Sequence, residues 1–208
     1  MTEGLTVAAV LLVVGPIIGG AAASSPVLFP VWSAPREEHL ALVLAHRRAW
    51  TWLNIGFTTA TLVTAAGLAI LALALDAGAW AKAVLVAIAV VYAIGGALWC
   101  AVLAIRTRTT PALATMVAAG TPTEPAESLL AAATGALFAS FTLATGGALV
   151  TLGLTLVVSG GVAAPVAWLV ALIAAAVIVG YLKSGDSIPA VLYFPTSLVG
   201  LALLLGWS

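Results

Sequence analysis

Ser33-Ala34-Pro35-Arg36-Glu37-Glu38-His39 opens the stretch that decides the fold: residues 33–49 are SAPREEHLALVLAHRRA and residues 50–75 are WTWLNIGFTTATLVTAAGLAILALAL. The second part holds no ionisable side chain and exceeds the ~20 residues that a helix needs to cross a hydrocarbon core of ~30 Å. It is predicted to be a transmembrane helix. The first part is charged and helix-prone, with Leu40, Val43 and Leu44 at helical spacing opposite Glu38, Arg47 and Arg48. That is the pattern of an amphipathic helix lying in the membrane interface. Ser33 is placed to cap it, Pro35 suits its first turn, and Glu37 and Glu38 complement the positive end of its dipole.

Composition extends this reading to the whole chain. Of 208 residues, 63% are hydrophobic and 7% charged, where a soluble domain carries roughly 25% charged residues. So few charges cannot cover the surface of a soluble fold of this size. The net charge is zero and no basic cluster exceeds Arg47-Arg48, which excludes a nucleic-acid partner. Cys100 is the single cysteine, so there is neither an internal disulfide nor a multi-cysteine metal site. Leu5 to Gly20 followed by Ala21-Ala22-Ala23-Ser24 has the outline of a signal peptide. The basic leader is missing and apolar character continues to Trp32, so this stretch is read as a retained first crossing.

Charges and Pro/Gly clusters divide the sequence into six apolar stretches, at about 5–31, 51–75, 80–105, 128–158, 164–182 and 187–207. The expectation is an all-α integral membrane bundle: one transmembrane domain over 1–208, six transmembrane helices, and one or two interfacial amphipathic helices. The first stretch carries Gly15 and Gly19 in small-xxx-small spacing, which lets a neighbouring backbone approach. Its Pro16, Pro26 and Pro30 predict a kink, or unwinding near Ser24-Ser25-Pro26. A second interfacial helix is expected over Pro111 to Ala119, within a loop from Arg106 to Glu127. A kink is expected at Tyr193-Phe194-Pro195-Thr196-Ser197.

Two crossings carry small polar stripes: Asn54, Thr58, Thr61 and Ala65 in the second, and Ser140, Ala144, Gly147, Thr151 and Thr155 in the fourth. Such stripes ordinarily face protein, so crossings one, two, four and six are expected to form the core, with three and five at the lipid rim. Thr61-Leu62-Val63-Thr64-Ala65-Ala66 also echoes Thr142-Leu143-Ala144-Thr145-Gly146-Gly147, and Leu85-Val86-Ala87 echoes Leu169-Val170-Ala171. A duplicated helical hairpin in parallel orientation would produce that pattern.

Cations give the orientation. The first, third and fifth connectors hold Arg36, Arg47, Arg48, Arg106, Arg108 and Lys183, leaving only Lys82 on the other side. The positive-inside rule places those connectors in the cytoplasm and both chain ends outside, in a multi-pass protein of the plasma membrane. Trp32, Trp50, Trp52 and Trp99 fall toward the basic side and Trp80, Trp168 and Trp207 toward the other, as two aromatic belts.

His39 and His46 are seven residues apart, about 10.5 Å along a helix. That is too far to share one metal ion, and one helix cannot sandwich a haem, so no cofactor or metal is expected. With Arg47, Arg48, Arg106 and Arg108 they form an interfacial set facing the lipid bilayer, where an anionic lipid headgroup is the expected partner at the cytoplasmic face. The deep serines Ser140 and Ser24-Ser25 lack an activating partner at their depth, and no buried carboxylate marks a coupled transport path, so enzymatic and ion-coupled functions are set aside. The leading expectation is a non-enzymatic bundle that binds or passes an uncharged or lipophilic molecule at Asn54, Thr58, Thr61, Ser140 and Tyr193. The alternatives are an accessory or scaffold subunit, whose Gly/Ala/Thr faces pack on a second copy or another membrane protein, and a redox protein using His39 or His46.

Overall fold

The computed structural model describes residues 2–207. They form seven α-helices: α1 (Glu3–Ala23), α2 (Arg36–Ala45), α3 (Arg47–Ala74), α4 (Ala79–Ala118), α5 (Glu124–Ser159), α6 (Ala164–Ser184) and α7 (Phe194–Leu204), with 3-10 turns over Phe29–Trp32 and Pro189–Leu192. No strand occurs among the described residues. Helices α1, α3, α4, α5 and α6 are each long and apolar enough to cross a membrane.

Local chemistry explains where the helices stop. The Thr2 hydroxyl accepts from the Leu5 N–H and starts α1. This helix ends at Ala23 because Ser24-Ser25-Pro26 follows, which trims the first crossing from the expected 5–31. α5 and α6 end on Gly160 and Gly185, both left-handed, at φ +67° and +70°. The amphipathic helix begins after Pro35, which stands outside its first turn, and the Ser33 side chain makes no cap hydrogen bond. It breaks from the second crossing at His46 (φ −124°, ψ 44°). The sixth stretch is interrupted, as its proline predicts: the Pro189–Leu192 turn comes first, and α7 covers only 11 residues.

The six helices other than α2 close into a ring in the order α1, α3, α4, α5, α6, α7, with α7 packed back on α1, while α2 lies outside across α4. Glycines make the closest approaches. A Cβ on Gly15 would lie 2.3 Å from Thr64 Oγ1, and one on Gly95 would lie 2.5 Å from Thr145 Oγ1. Thr64 and Thr145 occupy matching places in the sequence echo, and each is seated against a glycine of the preceding membrane helix in the chain.

Two expectations about the third crossing and the connector after it also fail. The loop from Arg106 to Glu127 does not exist as such: α4 runs unbroken through Pro111 to Ala118, so Pro111–Ala119 is not a separate interfacial helix. The Ala/Leu/Met-rich sequence after Pro111 has high helix propensity, and α2 packs on it with Leu40, Val43 and Ala114 buried. The third crossing is also no rim helix. In α4, 44% of the apolar window is buried, as in α3, against 28% in α1 and 22% in α6. Its lack of polar residues concealed a buried face of Leu85, Tyr92, Gly95, Gly96, Trp99 and Leu103.

The ring is level at one end and stepped at the other. At the level end Gly4 approaches Ala74, Gly161 approaches Leu75, and the Ala163 N–H donates to the Trp207 carbonyl at 2.6 Å. Trp80, Trp168 and Trp207 are all exposed at this end, as a belt should be. At the basic end α1 and α6 stop after 21 residues each, whereas α4 has 40 and α5 has 36. At 1.5 Å per residue the α4–α5 hairpin runs roughly 20–30 Å further. Trp32 and Trp52 are exposed on that side, but Trp50 and Trp99 are buried and belong to no belt.

Candidate functional site

The five residues expected to line an internal site separate into a connected group and an outlier. On α3 the Asn54 Nδ2 donates to the Trp50 carbonyl at 2.7 Å, and the Thr58 hydroxyl donates to the Asn54 carbonyl at 2.9 Å. The Thr61 hydroxyl lies 2.8 Å from the Phe57 carbonyl and 2.6 Å from the Tyr193 hydroxyl. Tyr193 reaches α3 because the chain is broken between α6 and α7, which lets the residue before α7 enter the bundle. Around this line the interior is filled by rings: Trp99 stacks on Phe141 at 5.2 Å and meets Phe57 edge-on at 6.4 Å. Asn54 Oδ1 and Trp99 Nε1 are buried without a protein hydrogen-bond partner.

Ser140 is not part of this group. It is exposed on the outer side of α5, where its hydroxyl donates to the Ala136 carbonyl at 3.0 Å. Thr151 is likewise exposed and bonded to the Gly147 carbonyl. Thr155, the last member of the expected stripe, is buried, but a hydroxyl satisfied within its own helix has no need of a neighbouring helix, and Ser140 and Thr151 turn outward. The buried face of α5 carries Phe141, Thr142, Thr145, Leu149 and Leu152 instead.

At the basic end the predicted residues divide by exposure. Arg48, Arg108 and His46 are exposed, and Arg47 donates to the Thr115 hydroxyl, tying α3 to the extended part of α4. Arg36 forms an ion pair with Glu127 and also donates to Thr123, which holds the start of α2 to the start of α5. His39 is half-buried, its Nδ1 3.4 Å from the Val31 carbonyl and its ring edge-on to Trp50 at 5.7 Å. The Arg106 guanidinium carbon lies 5.3 Å from the centre of that same Trp50 ring, and Trp50 Nε1 donates to the Arg106 carbonyl at 3.2 Å. Burial holds the His39 imidazole below its usual pKa, opposed by the Val31 carbonyl and reinforced by the positive charge of Arg106. His39 therefore favours the neutral form.

Beside His39 is a recess of about 300 Å³ lined by Ala34, Arg36, His39, Leu40, Leu113 and Glu127. A second, of about 200 Å³, lies between the end of α6 and the Pro189–Leu192 turn, against Tyr181, Ser184, Asp186 and Ser187. Neither recess includes Asn54, Thr58, Thr61, Ser140 or Tyr193. Among the described residues, no three of His, Cys, Asp and Glu converge as a metal site would require. Sequence reasoning missed Trp50 as the ring between His39 and Arg106, since a tryptophan after two arginines looks like any interfacial anchor.

Comparison with family models, curated proteins and solved structures finds no match for this chain.

Proposed function

We propose that this chain is a non-enzymatic structural component of a membrane, one that associates laterally with another membrane helix through the outer face of α5. The observation that carries the reading is the bond between Thr61 and Tyr193: the most polar line of the interior is spent on joining α3 to the entry of α7. The rings of Phe57, Trp99 and Phe141 fill the space beside it. This favours association over the reading of a bundle that binds or passes a small neutral molecule, because the residues expected to line such a site are bonded to one another or, like Ser140, face outward.

The outer face of α5 supplies the surface. Ala136, Ser140, Gly147 and Thr151 lie along it, and a Cβ on Gly147 would meet nothing within 4 Å. Leu143 and Leu154 are exposed on the same stripe, so a partner helix would meet alternating small and large side chains there and gain dispersion and weak hydrogen bonds. The basic end, with six of the seven cations, is proposed to face the cytoplasm of a plasma membrane, and both chain ends the exterior.

Cross-linking in native membranes tests the association. In a Cys100→Ser background, a photoreactive label on Ser140→Cys or Gly147→Cys is expected to give one discrete adduct, and a label on Leu172→Cys of α6 none. Equal labelling at all three positions, or no adduct at any, overturns the reading.

A further inference from the structure

We propose that Arg106, held against Trp50 between α2, α3 and α4, is the anchor of a binding site for an oxyanion, a single phosphate or carboxylate group. Three observations place it there, and none depends on the association proposed for α5. First, the Arg106 side chain donates to no protein acceptor and no carboxylate comes within ion-pair distance; among the described residues the one ion pair is Arg36–Glu127. Of the other acids of this end, Glu127 is paired with Arg36, and Glu37, Glu38, Glu124 and Asp186 are exposed. Second, the side chain is not free in solvent like Arg48 and Arg108, but half-buried over the Trp50 ring. Its N–H groups therefore remain unused, with the guanidinium carbon 5.3 Å from the ring centre, and a guanidinium offers such donors in the fork that matches two oxygens of a phosphate or carboxylate.

Third, the surroundings suit an anion with an apolar body. His39, edge-on to the same Trp50 ring, also lines the 300 Å³ recess whose apolar wall is Ala34, Leu40 and Leu113; Arg106 and Trp50 do not line it, and His39 is the link between them and that wall. Arg36 and Glu127 stand at that recess as a neutralised pair. Arg106 lies where α4 passes from its apolar run into the extension at the basic end, the depth at which lipid phosphates meet a bilayer. Two sources share this chemistry: the phosphodiester of an anionic lipid, and free phosphate.

The test uses the full chain, purified in neutral detergent and mixed with phosphatidylglycerol, with retained lipid counted by native mass spectrometry. Wild-type protein is expected to retain phosphatidylglycerol in preference to diacylglycerol, which has the same apolar body and no phosphate. Arg106→Gln should lower retention by about tenfold, the loss expected for a charge-assisted bidentate contact. Arg106→Lys keeps the charge and guards against a folding defect, yet loses the fork, and should lower retention several-fold. Arg48→Gln and Arg108→Gln should behave as wild type. Displacement of the lipid by millimolar inorganic phosphate would identify the bare ion as sufficient, and resistance to it would identify the lipid as the source. Unchanged retention in both Arg106 variants, or an equal loss in Arg108→Gln, overturns the site.

Discussion

Gly15 shows how little room single residues have where α1 crosses α3. A methyl group there would sit 2.3 Å from the Thr64 hydroxyl and 3.0 Å from the Ala60 carbonyl, and the backbone atom cannot swing aside. Gly15→Ala is expected to destabilise the bundle by about 1–3 kcal/mol, the usual penalty of overpacking. Gly20→Ala, five residues on, meets nothing within 4 Å and should leave stability unchanged or slightly raised through helix propensity. Denaturant unfolding in micelles measures both, and equal effects would refute the close approach. Tyr193→Phe removes the hydroxyl bonded to Thr61 and should cost about 0.6–1.7 kcal/mol, the range for hydrogen bonds between membrane helices. His39 gives a pH dependence. Its folded pKa lies below the ordinary 6.5, so the folded state prefers the neutral ring. That contribution is fully present above the unfolded pKa and is lost as pH falls through the folded value. The unfolding midpoint should drop as pH is lowered below about 6.5, and His39→Phe should flatten the drop.

At the scale of elements, α2 is held to the extension of α4 by a small apolar contact, and its first residue, Arg36, is tied to Glu127 and Thr123 at the start of α5. Leu40→Asp should detach it, since a carboxylate cannot stay unpaired where Leu40 is only 7% exposed. Hydrogen exchange over Arg36–Ala45 should then accelerate by about tenfold or more, with α1 and α3 unaffected. If exchange in α2 is already fast in the wild type, the docking is wrong. The membrane helices were legible in the sequence because the length of an uncharged apolar run is itself the physical requirement for crossing. The broken entries at Ser24-Ser25-Pro26 and before Pro195 were legible for the same kind of reason, since proline removes a donor whatever surrounds it. The extension of α4 was not legible, because Arg106, Arg108 and Pro111 look like a loop until α2 is seen lying on them. Nor was the outward turn of Ser140, because a hydroxyl that bonds its own helix leaves no trace in spacing. The grouping of His39, Trp50 and Arg106 brings together three chain segments that no local pattern connects.

Over the whole molecule, five helices suited to a bilayer share a level face with three exposed tryptophans, and the opposite face rises into the α4–α5 hairpin with α2 strapped across it. The proposed orientation puts that raised face in the cytoplasm. In intact cells, a membrane-impermeant thiol reagent should label Asp76→Cys at the level end, and should label His46→Cys only after the membrane is opened. The reverse pattern would invert the topology without altering the fold.

The last helix also sets a timetable for the newborn chain. Gly200 is seated directly on the Ala9 carbonyl, where a Cβ would come within 2.7 Å, so α1 waits for α7 before its flank is covered. Throughout translation the nascent ring has a gap, and Ala8, Ala9 and Leu12, fully enclosed in the finished protein, stay open to passing lipids and to other half-made chains. A stop codon between α6 and α7 would leave that gap permanently unsealed.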